Sequence, residues 1–252
     1  MALPGLKGKT VLVTGASRGI GVGIARAFAA ECVQLHILAD DDRIREAARE
    51  FGAIAHQADI TNSADVKRVA LAIGPLDVLV NNAGLERITP LGDVSDDNET
   101  TFRRITEINI TGTFLMTRAV TPNMRPGGSV INTASVWSRG SEARFAAYVA
   151  SKHATIGLTK VWAKELGPSG IRVNAVCPGW VKTETSLLSL KRMSESTGRP
   201  EADILQDVLN TQILPGFMTP DDVAGPYLFL ASDLAANITG QSLGVDRGEL
   251  PW

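Results

Sequence analysis

Tyr148 and Lys152 stand four positions apart in the run Tyr-Val-Ala-Ser-Lys. On a helix that spacing puts both side chains on one face, one turn apart. A phenol titrates near ~10, too high for an efficient proton shuttle at neutral pH. A neighbouring ammonium favours the phenolate, so Lys152 is expected to lower the Tyr148 pKa and make the pair a general acid/base. The spacing alone also suits two residues decorating a solvated helix, and the neighbouring motifs decide between these readings.

A second run has the residues to hold phosphate. Thr14-Gly15-Ala16-Ser17-Arg18-Gly19-Ile20-Gly21 follows a strand-like apolar run and opens an Ala-rich helical pattern. Glycines let the backbone turn sharply and approach a pyrophosphate, which then rests on the helix N-terminus. No Gly-Lys-Ser/Thr ending is present, so the run is not a nucleoside-triphosphate P-loop.

The elements that must position these residues alternate along the chain. Strands are predicted at 10–14, 33–39, 53–57, 76–80, 128–133, 171–176 and 241–245. Helices are predicted at 20–31, 42–51, 62–72, 97–120, 142–166 and 221–231. Alternating β and α implies parallel pairing, right-handed crossovers and helices on both faces, in one α/β domain over residues 1–252. The stretch 182–216 is polar, Ser/Thr-rich and weakly periodic, and reads as a substrate lid.

Composition excludes several classes. The 252 residues are 44% hydrophobic with a net charge of −2, which gives no footprint for nucleic acid or an anionic membrane. There is no apolar run of transmembrane length and no signal-peptide core, so a cytoplasmic location is expected. Cys32 and Cys177 both stand in apolar contexts and read as buried free thiols. No Cys, His or carboxylate cluster has metal-site spacing, and His36 and His56 read as strand filler.

Together these motifs resemble the short-chain dehydrogenase/reductase family. The glycine run resembles its Thr-Gly-x-x-x-Gly-x-Gly, and Asn81-Asn82-Ala83-Gly84 its Asn-Asn-Ala-Gly. Asn109, Ser135, the Tyr148/Lys152 pair and the run Asn174-Ala175-Val176-Cys177-Pro178-Gly179 with Thr183 follow in the family's order. The resemblance covers nearly the whole chain and implies a Rossmann-type, doubly wound fold around a seven-stranded parallel sheet.

The family's roles carry over residue by residue. Tyr148 would exchange the proton at the substrate oxygen while hydride moves to or from nicotinamide. Lys152 would hold the ribose hydroxyls, and Ser135 would bond the same substrate oxygen; the bland reading of Ser135 is a strand-end cap. Asn109, which interrupts an apolar stripe of Phe102, Ile105 and Met116, would join a water-linked proton relay, or simply be a satisfied structural amide. Gly15, Ser17, Arg18, Gly19, Ile20 and Gly21 would cradle the pyrophosphate. Asp59 and Ile60 would meet the adenine, Asn82, Ala83 and Gly84 would line the cofactor, and Pro178, Gly179, Val181 and Thr183 would flank the nicotinamide.

The run Ala39-Asp40-Asp41-Asp42-Arg43 ends the second strand. In the family register Ala39 stands where an NAD-selecting acid is usual and Asp40 follows it. Carboxylates here would repel a 2′-phosphate, so NAD is expected, with Asp40 on the ribose and Asp42 as a helix cap. NADP is the alternative, with Arg18 and Arg43 as counter-charges. Val136, Trp137 and Trp180 are expected to contact substrate, with Ser138, Arg139, Leu85, Glu86, Glu142 and Arg144 as further polar or loop candidates. That mixture suits a secondary alcohol that is a sugar or polyol. Rival readings are an NADPH-dependent 3-oxoacyl-thioester reductase and a non-catalytic dinucleotide sensor. A homotetramer through the long helices and last strand is expected, and Trp252 would bury well at such an interface.

Overall fold

The computed structural model describes residues 3–251; the expectation for Trp252 falls outside them. Seven strands run β1 Thr10–Thr14, β2 Gln34–Ala39, β3 Ile54–Gln57, β4 Leu76–Asn81, β5 Met124–Thr133, β6 Arg172–Pro178 and β7 Ser242–Val245. The helices are α1 Gly19–Ala29, α2 Arg43–Phe51, α3 Ser63–Ile73, α4 Asp96–Thr106, α5 Thr113–Val120, α6 Ala146–Leu166, α7 Glu184–Thr197, α8 Glu201–Asn210 and α9 Gly225–Ala231. The strands form one parallel sheet in the order β3-β2-β1-β4-β5-β6-β7.

β1 and β4 are apolar on both faces because both faces are covered. Val11, Val13, Val78 and Val80 pack with Ile24 and Phe28 of α1, Ile44 of α2 and Leu228 of α9. Leu12 and Leu79 point the other way, onto Val66 and Val69 of α3, Met116 of α5 and Trp162 of α6. The chain reverses its direction of travel across the sheet between β1 and β4, so a crevice opens beyond the carboxyl ends of those two strands. Six buried polar side chains pin this core. The Asn81 amide donates to Thr117 Oγ1 and Asn132 Oδ1, each at 2.9 Å. The Asn132 amide donates to Thr159 Oγ1 at 2.9 Å, and Thr155 and Ser151 continue the line along α6.

Several predicted boundaries shift for identifiable reasons. The predicted helix 142–166 begins only at Ala146, because Arg144 has φ 72°, a left-handed value incompatible with a helix. The predicted helix 97–120 is α4 and α5 joined by a π-helical turn, Glu107–Gly112. Phe102 does not belong to its buried stripe and is 43% exposed. The predicted helix 221–231 is a 3₁₀ turn, Asp221–Val223, followed by α9, with Pro226 in the first turn of α9 where its missing N–H costs nothing. The stretch 182–216 holds α7 and α8. Its weak periodicity has a simple cause: α7 buries only Ser189 and Leu190, and α8 only Ile204.

Two further expectations are corrected. Cys32 is exposed, on a turn with φ 56°, while Cys177 is buried as expected. His36 and His56 are not independent filler. They stack across β2 and β3, with His36 Nδ1 and His56 Nε2 2.9 Å apart. Burial, then the charge of the partner ring, holds His56 down to about 4. The unfolded chain therefore binds a proton more readily at this position than the folded one. Stability is expected to fall as pH drops from about 6.5 toward 4, because the folded state resists protonation at this position. Denaturant melts across that window check it. A midpoint that His56→Gln makes no less sensitive to acid would contradict the assignment.

Candidate active site

The first β–α turn forms one end of the site. Gly15 has φ 66°, and a Cβ there would lie 2.7 Å from Ala83 Cα. A Cβ on Gly21 would lie 2.1 Å from the Gly15 carbonyl oxygen, so α1 can pack this close only with glycine at that position. Arg18, at the N-cap of α1, makes no side-chain capping bond, so the helix presents its first amides without a side-chain acceptor. The Asn82 amide donates to the carbonyls of Thr14 at 3.1 Å and Gly15 at 3.2 Å, and the amides of Asn82 and Ala83 both donate to Thr14 Oγ1 at 3.0 Å. Asn82 therefore braces the turn as well as lining the crevice. Asn81 faces the core.

The crevice encloses about 290 Å³ and runs from this turn to the Tyr148 end. Gly15, Ser17, Arg18, Gly19 and Ile20 line the first end, with Asp40, Asp59 and Ile60 beside them. Asn82, Ala83 and Gly84 line the middle. Ser135, Val136, Trp137, Tyr148, Lys152, Pro178, Gly179, Trp180, Val181 and Thr183 line the rest. Of the expected residues, Gly21 and Asn109 lie behind this surface: Gly21 shapes the turn and Asn109 holds a loop. A cleft lined by a glycine turn with free helix amides at one end and a Ser/Tyr/Lys group at the other fits an extended dinucleotide.

At the Tyr148 end, α6 puts Tyr148 and Lys152 one turn apart, with Lys152 Nζ 5.5 Å from the Tyr148 ring centroid. Lys152 Nζ donates to the Thr133 carbonyl at 2.7 Å. Burial pushes its ammonium down to about 8. Tyr148 corrects the sequence expectation. Its phenol is shifted upward, first by burial and then by the nearby Glu86 carboxyl, while the Ser135 hydroxyl works in the opposite direction. Lys152 does not lower it, because with its own proton lost above about 8 it is already neutral before the raised phenol begins to ionise. Ser135 Oγ accepts from Trp137 N at 3.1 Å and caps the 3₁₀ turn Val136–Ser138. The capping reading of Ser135 is thus observed, and the same hydroxyl faces Tyr148.

Asn109 lies in the π-helical turn with its amide satisfied. Its Oδ1 accepts from Leu85 N at 2.8 Å, and its Nδ2 donates to Leu85 O at 3.0 Å and Ser151 Oγ at 2.9 Å. Thr183 Oγ1 accepts from Ser186 N at 3.1 Å in a reciprocal capping box that starts α7. Val181 bridges Met218 as an isolated parallel pair. Asp59 accepts from Thr61 N at 2.8 Å and pairs with Arg104 at 2.9 Å, while Asn62 caps α3.

The acidic run departs from expectation. Asp40 lines the crevice. Asp42 occupies the α2 N-cap without a side-chain capping bond. Asp41, given no role of its own from the sequence, turns back to the glycine run: its carboxylate accepts from Ser17 Oγ at 3.0 Å, from Arg18 and from Arg43 N at 3.0 Å. Arg43 Nη1 in turn donates to Glu184 at 3.0 Å.

The further substrate candidates divide, and one buried residue, Tyr227, was missed. Glu86 lines the crevice and accepts a hydrogen bond from Ser189 Oγ of α7. Its sequence signal was only its place directly after Asn-Ala-Gly-Leu. Tyr227, fully buried on α9, shares a 2.9 Å hydrogen bond with Thr133 Oγ1 beneath Lys152, and nothing in its apolar context announced it. Arg139 instead donates to Ser242 O, and Arg144 donates to Ser196 Oγ at 2.6 Å. Glu142 and Arg144 border a separate cavity of about 190 Å³ under α7. Among the described residues no group of three or more His, Cys, Asp or Glu is placed to hold a metal ion. No described helix is long and apolar enough to cross a membrane.

Known proteins are similar to this chain over nearly its whole length. A family profile described as enoyl-(acyl carrier protein) reductase matches residues 15–249. D-beta-hydroxybutyrate dehydrogenase of Cupriavidus necator is 34% identical, over 96% of this chain and 98% of the relative. D-xylose 1-dehydrogenase of Caulobacter vibrioides is 37% identical, over 97% of each. Among solved structures, a variant of actinorhodin polyketide ketoreductase with NADPH aligns over 100% of both chains, with TM-score 0.90 and 29% identity. The 3-ketoacyl-(acyl-carrier-protein) reductase of Brucella melitensis complexed with NADH aligns over 97% of this chain and 99% of its own, with TM-score 0.84 and 31% identity. With a family profile matching residues 15–249 and relatives above 30% identity over nearly the whole length of both chains, the chain belongs to the short-chain dehydrogenase/reductase family.

Proposed function

We propose that the protein oxidises a secondary alcohol of a sugar or polyol to a ketone, reversibly, with NAD. The observation that carries this reading is the convergence of Ser135, Tyr148 and Lys152 at one end of a cleft whose other end is a helix-capping glycine turn. The nicotinamide ring supplies or accepts the hydride. Tyr148 Oη exchanges the proton with the substrate oxygen, and the Ser135 hydroxyl bonds that oxygen and fixes it for attack. Neutral Lys152 is the base on which the alcohol proton can finish, and Asn109 would serve the water-linked relay to Lys152 that the family resemblance implies. A sensor without chemistry has no use for a buried lysine beside a buried tyrosine. The thioester reductase reading is disfavoured by a carboxyl, Glu86, in the wall where an acyl chain would lie.

The adenosine end favours NAD. Asp40 lines the adenosine end of the crevice, where its carboxylate would meet the ribose hydroxyls. The two cations that could meet a 2′-phosphate are already engaged, Arg18 by Asp41 and Arg43 by Glu184 and Asp41. A phosphate would have to displace carboxylates from both. α7 and α8, over the Trp137 and Trp180 wall, serve as the substrate lid. Exposed Phe102 on α4, Phe114 on α5, Val161 on α6 and Leu243 on β7 support assembly through the long helices and last strand as a homotetramer. Cytoplasmic location belongs to the same reading, since that is where an NAD-linked dehydrogenase meets its cofactor pool.

Three measurements test this. Tyr148→Phe should keep cofactor affinity and lose roughly 10²–10⁴ in kcat/KM on a panel of polyols followed by NADH absorbance; undiminished turnover refutes the mechanism. Lys152 gains its proton below about 8, so oxidation should slow as pH falls through that value while reduction does not. A pH–rate profile in both directions reads this, and an oxidation limb indifferent to pH contradicts the relay. NAD should be used with higher kcat/KM than NADP, and a clear NADP preference would overturn the assignment of Asp40 and Asp41.

A further inference from the structure

Glu86 is unusual among the pocket residues. It is surrounded by protein yet reachable from the crevice, where it lines the wall with Ser135, Trp137, Tyr148 and Trp180. Its backbone is clamped. The preceding residue, Leu85, is bonded through both N–H and C=O to the Asn109 amide, at 2.8 and 3.0 Å. Arg87 Nη1 donates to the Glu86 carbonyl at 2.7 Å. Three residues on, Thr89 Oγ1 accepts from Ala147 N at 3.0 Å, which ties this loop to the start of α6.

The side chain is oriented as well. Ser189, buried on α7, donates to Glu86 Oε1, the one side-chain hydrogen bond Glu86 makes among the described residues. A carboxyl has about four acceptor sites, so most of its capacity faces the pocket. Burying a carboxyl without partners is costly, and the bound molecule is the natural source of the missing donors. Burial raises the Glu86 carboxyl above its ordinary value, and the Ser189 hydroxyl, then Arg87, Lys152 and Arg192, offset part of that; neither Arg87 nor Arg192 lines the pocket. Glu86 is close enough to Tyr148 to hold the phenol in its protonated form.

We propose that Glu86 accepts a hydrogen bond from a second substrate hydroxyl, on the carbon next to the reacting carbinol, and that the pocket thereby selects vicinal diols. This rests on the alcohol-oxidation reading above and narrows its substrate class. Trp137, Trp180 and Val136 cover the carbon skeleton, and the carboxyl fixes which face of it is hydroxylated. A hydroxyl donor there is welcomed. A carboxylate or thioester oxygen, which can only accept, meets another acceptor and is rejected.

Cyclohexane-1,2-diol and cyclohexanol differ by that one hydroxyl. Calorimetric titration of the NADH-saturated protein with each gives a diol-to-alcohol affinity ratio. We expect at least about a tenfold ratio in the wild type, as for a hydrogen bond to a charged acceptor, collapsing to within about twofold in Glu86→Leu. Glu86→Gln keeps an acceptor without charge and keeps the side chain's shape. It should give an intermediate ratio, and it carries the test if the leucine variant does not fold. A wild type without preference, or variants that keep the full preference, overturns the proposal. Turnover of the diol with NAD is scored separately. A Glu86-dependent preference without turnover sinks the oxidation reading and leaves the diol subsite standing, while turnover with a Glu86-independent preference does the reverse.

Discussion

The Asn109 amide is the contact on which the site depends. It spends both ends on other elements: the carbonyl and one N–H on the Leu85 backbone, and a second N–H on the Ser151 hydroxyl. That ties the loop after β4 to α6. The loop carries Gly84 to the middle of the crevice and Glu86 to its wall, and α6 carries Tyr148 and Lys152. An amide buried this deeply is stable only when all its bonds are made, so the spacing between loop and helix is fixed to within hydrogen-bond tolerance. The π-helical turn that bears Asn109 is the local irregularity that aims it, as such turns commonly do near functional sites.

A second polar line runs beneath. Asn81, Asn132 and Thr159 join β4 and β5 to the middle of α6, and Thr133 joins Lys152, through its carbonyl, to Tyr227 of α9, through its hydroxyl. Helices on opposite faces of the sheet are thus connected through one residue at the end of β5. Lys152 is held where desolvation works against its charge. A lysine in that position titrates near neutrality, which is what a terminal proton acceptor requires. The same low-dielectric surroundings keep Tyr148 protonated, so two groups of similar proton affinity in water are moved apart. The sequence argument assumed a solvated ammonium acting on a phenol; burial reverses which group is shifted into the working range.

The charged rim of the adenosine end shows a related effect. Exposed ion pairs such as Arg43–Glu184 add little to stability, on the order of 0–1 kcal/mol each. Their consequence here is for selectivity, because a cation already satisfied by a carboxylate is a poor partner for an additional phosphate. Asp41 does this for Arg18 and at the same time bonds Ser17, which stiffens the glycine turn.

The sequence by itself determined the strand order, the parallel sheet, the glycine turn and most of the residues lining the crevice. These are local or periodic properties: glycine where no Cβ fits, apolar runs where both faces are covered, i,i+4 spacing where two side chains share a face. Its misses have one physical character. α7 and α8 were read as irregular because each buries only one or two side chains, too few to write a period. Asp41 and Asp42 look alike in sequence, and only the fold of the β2–α2 turn brings one of them to Arg18. Tyr227 and His56 look like ordinary apolar-strand and helix residues until Thr133 and His36 are beside them. Proton affinities, the Glu86–Ser189 contact and the direction of the Tyr148 shift were decided by tertiary structure alone, because burial and the charge of a neighbour far along the chain are properties of packing, which no local pattern encodes.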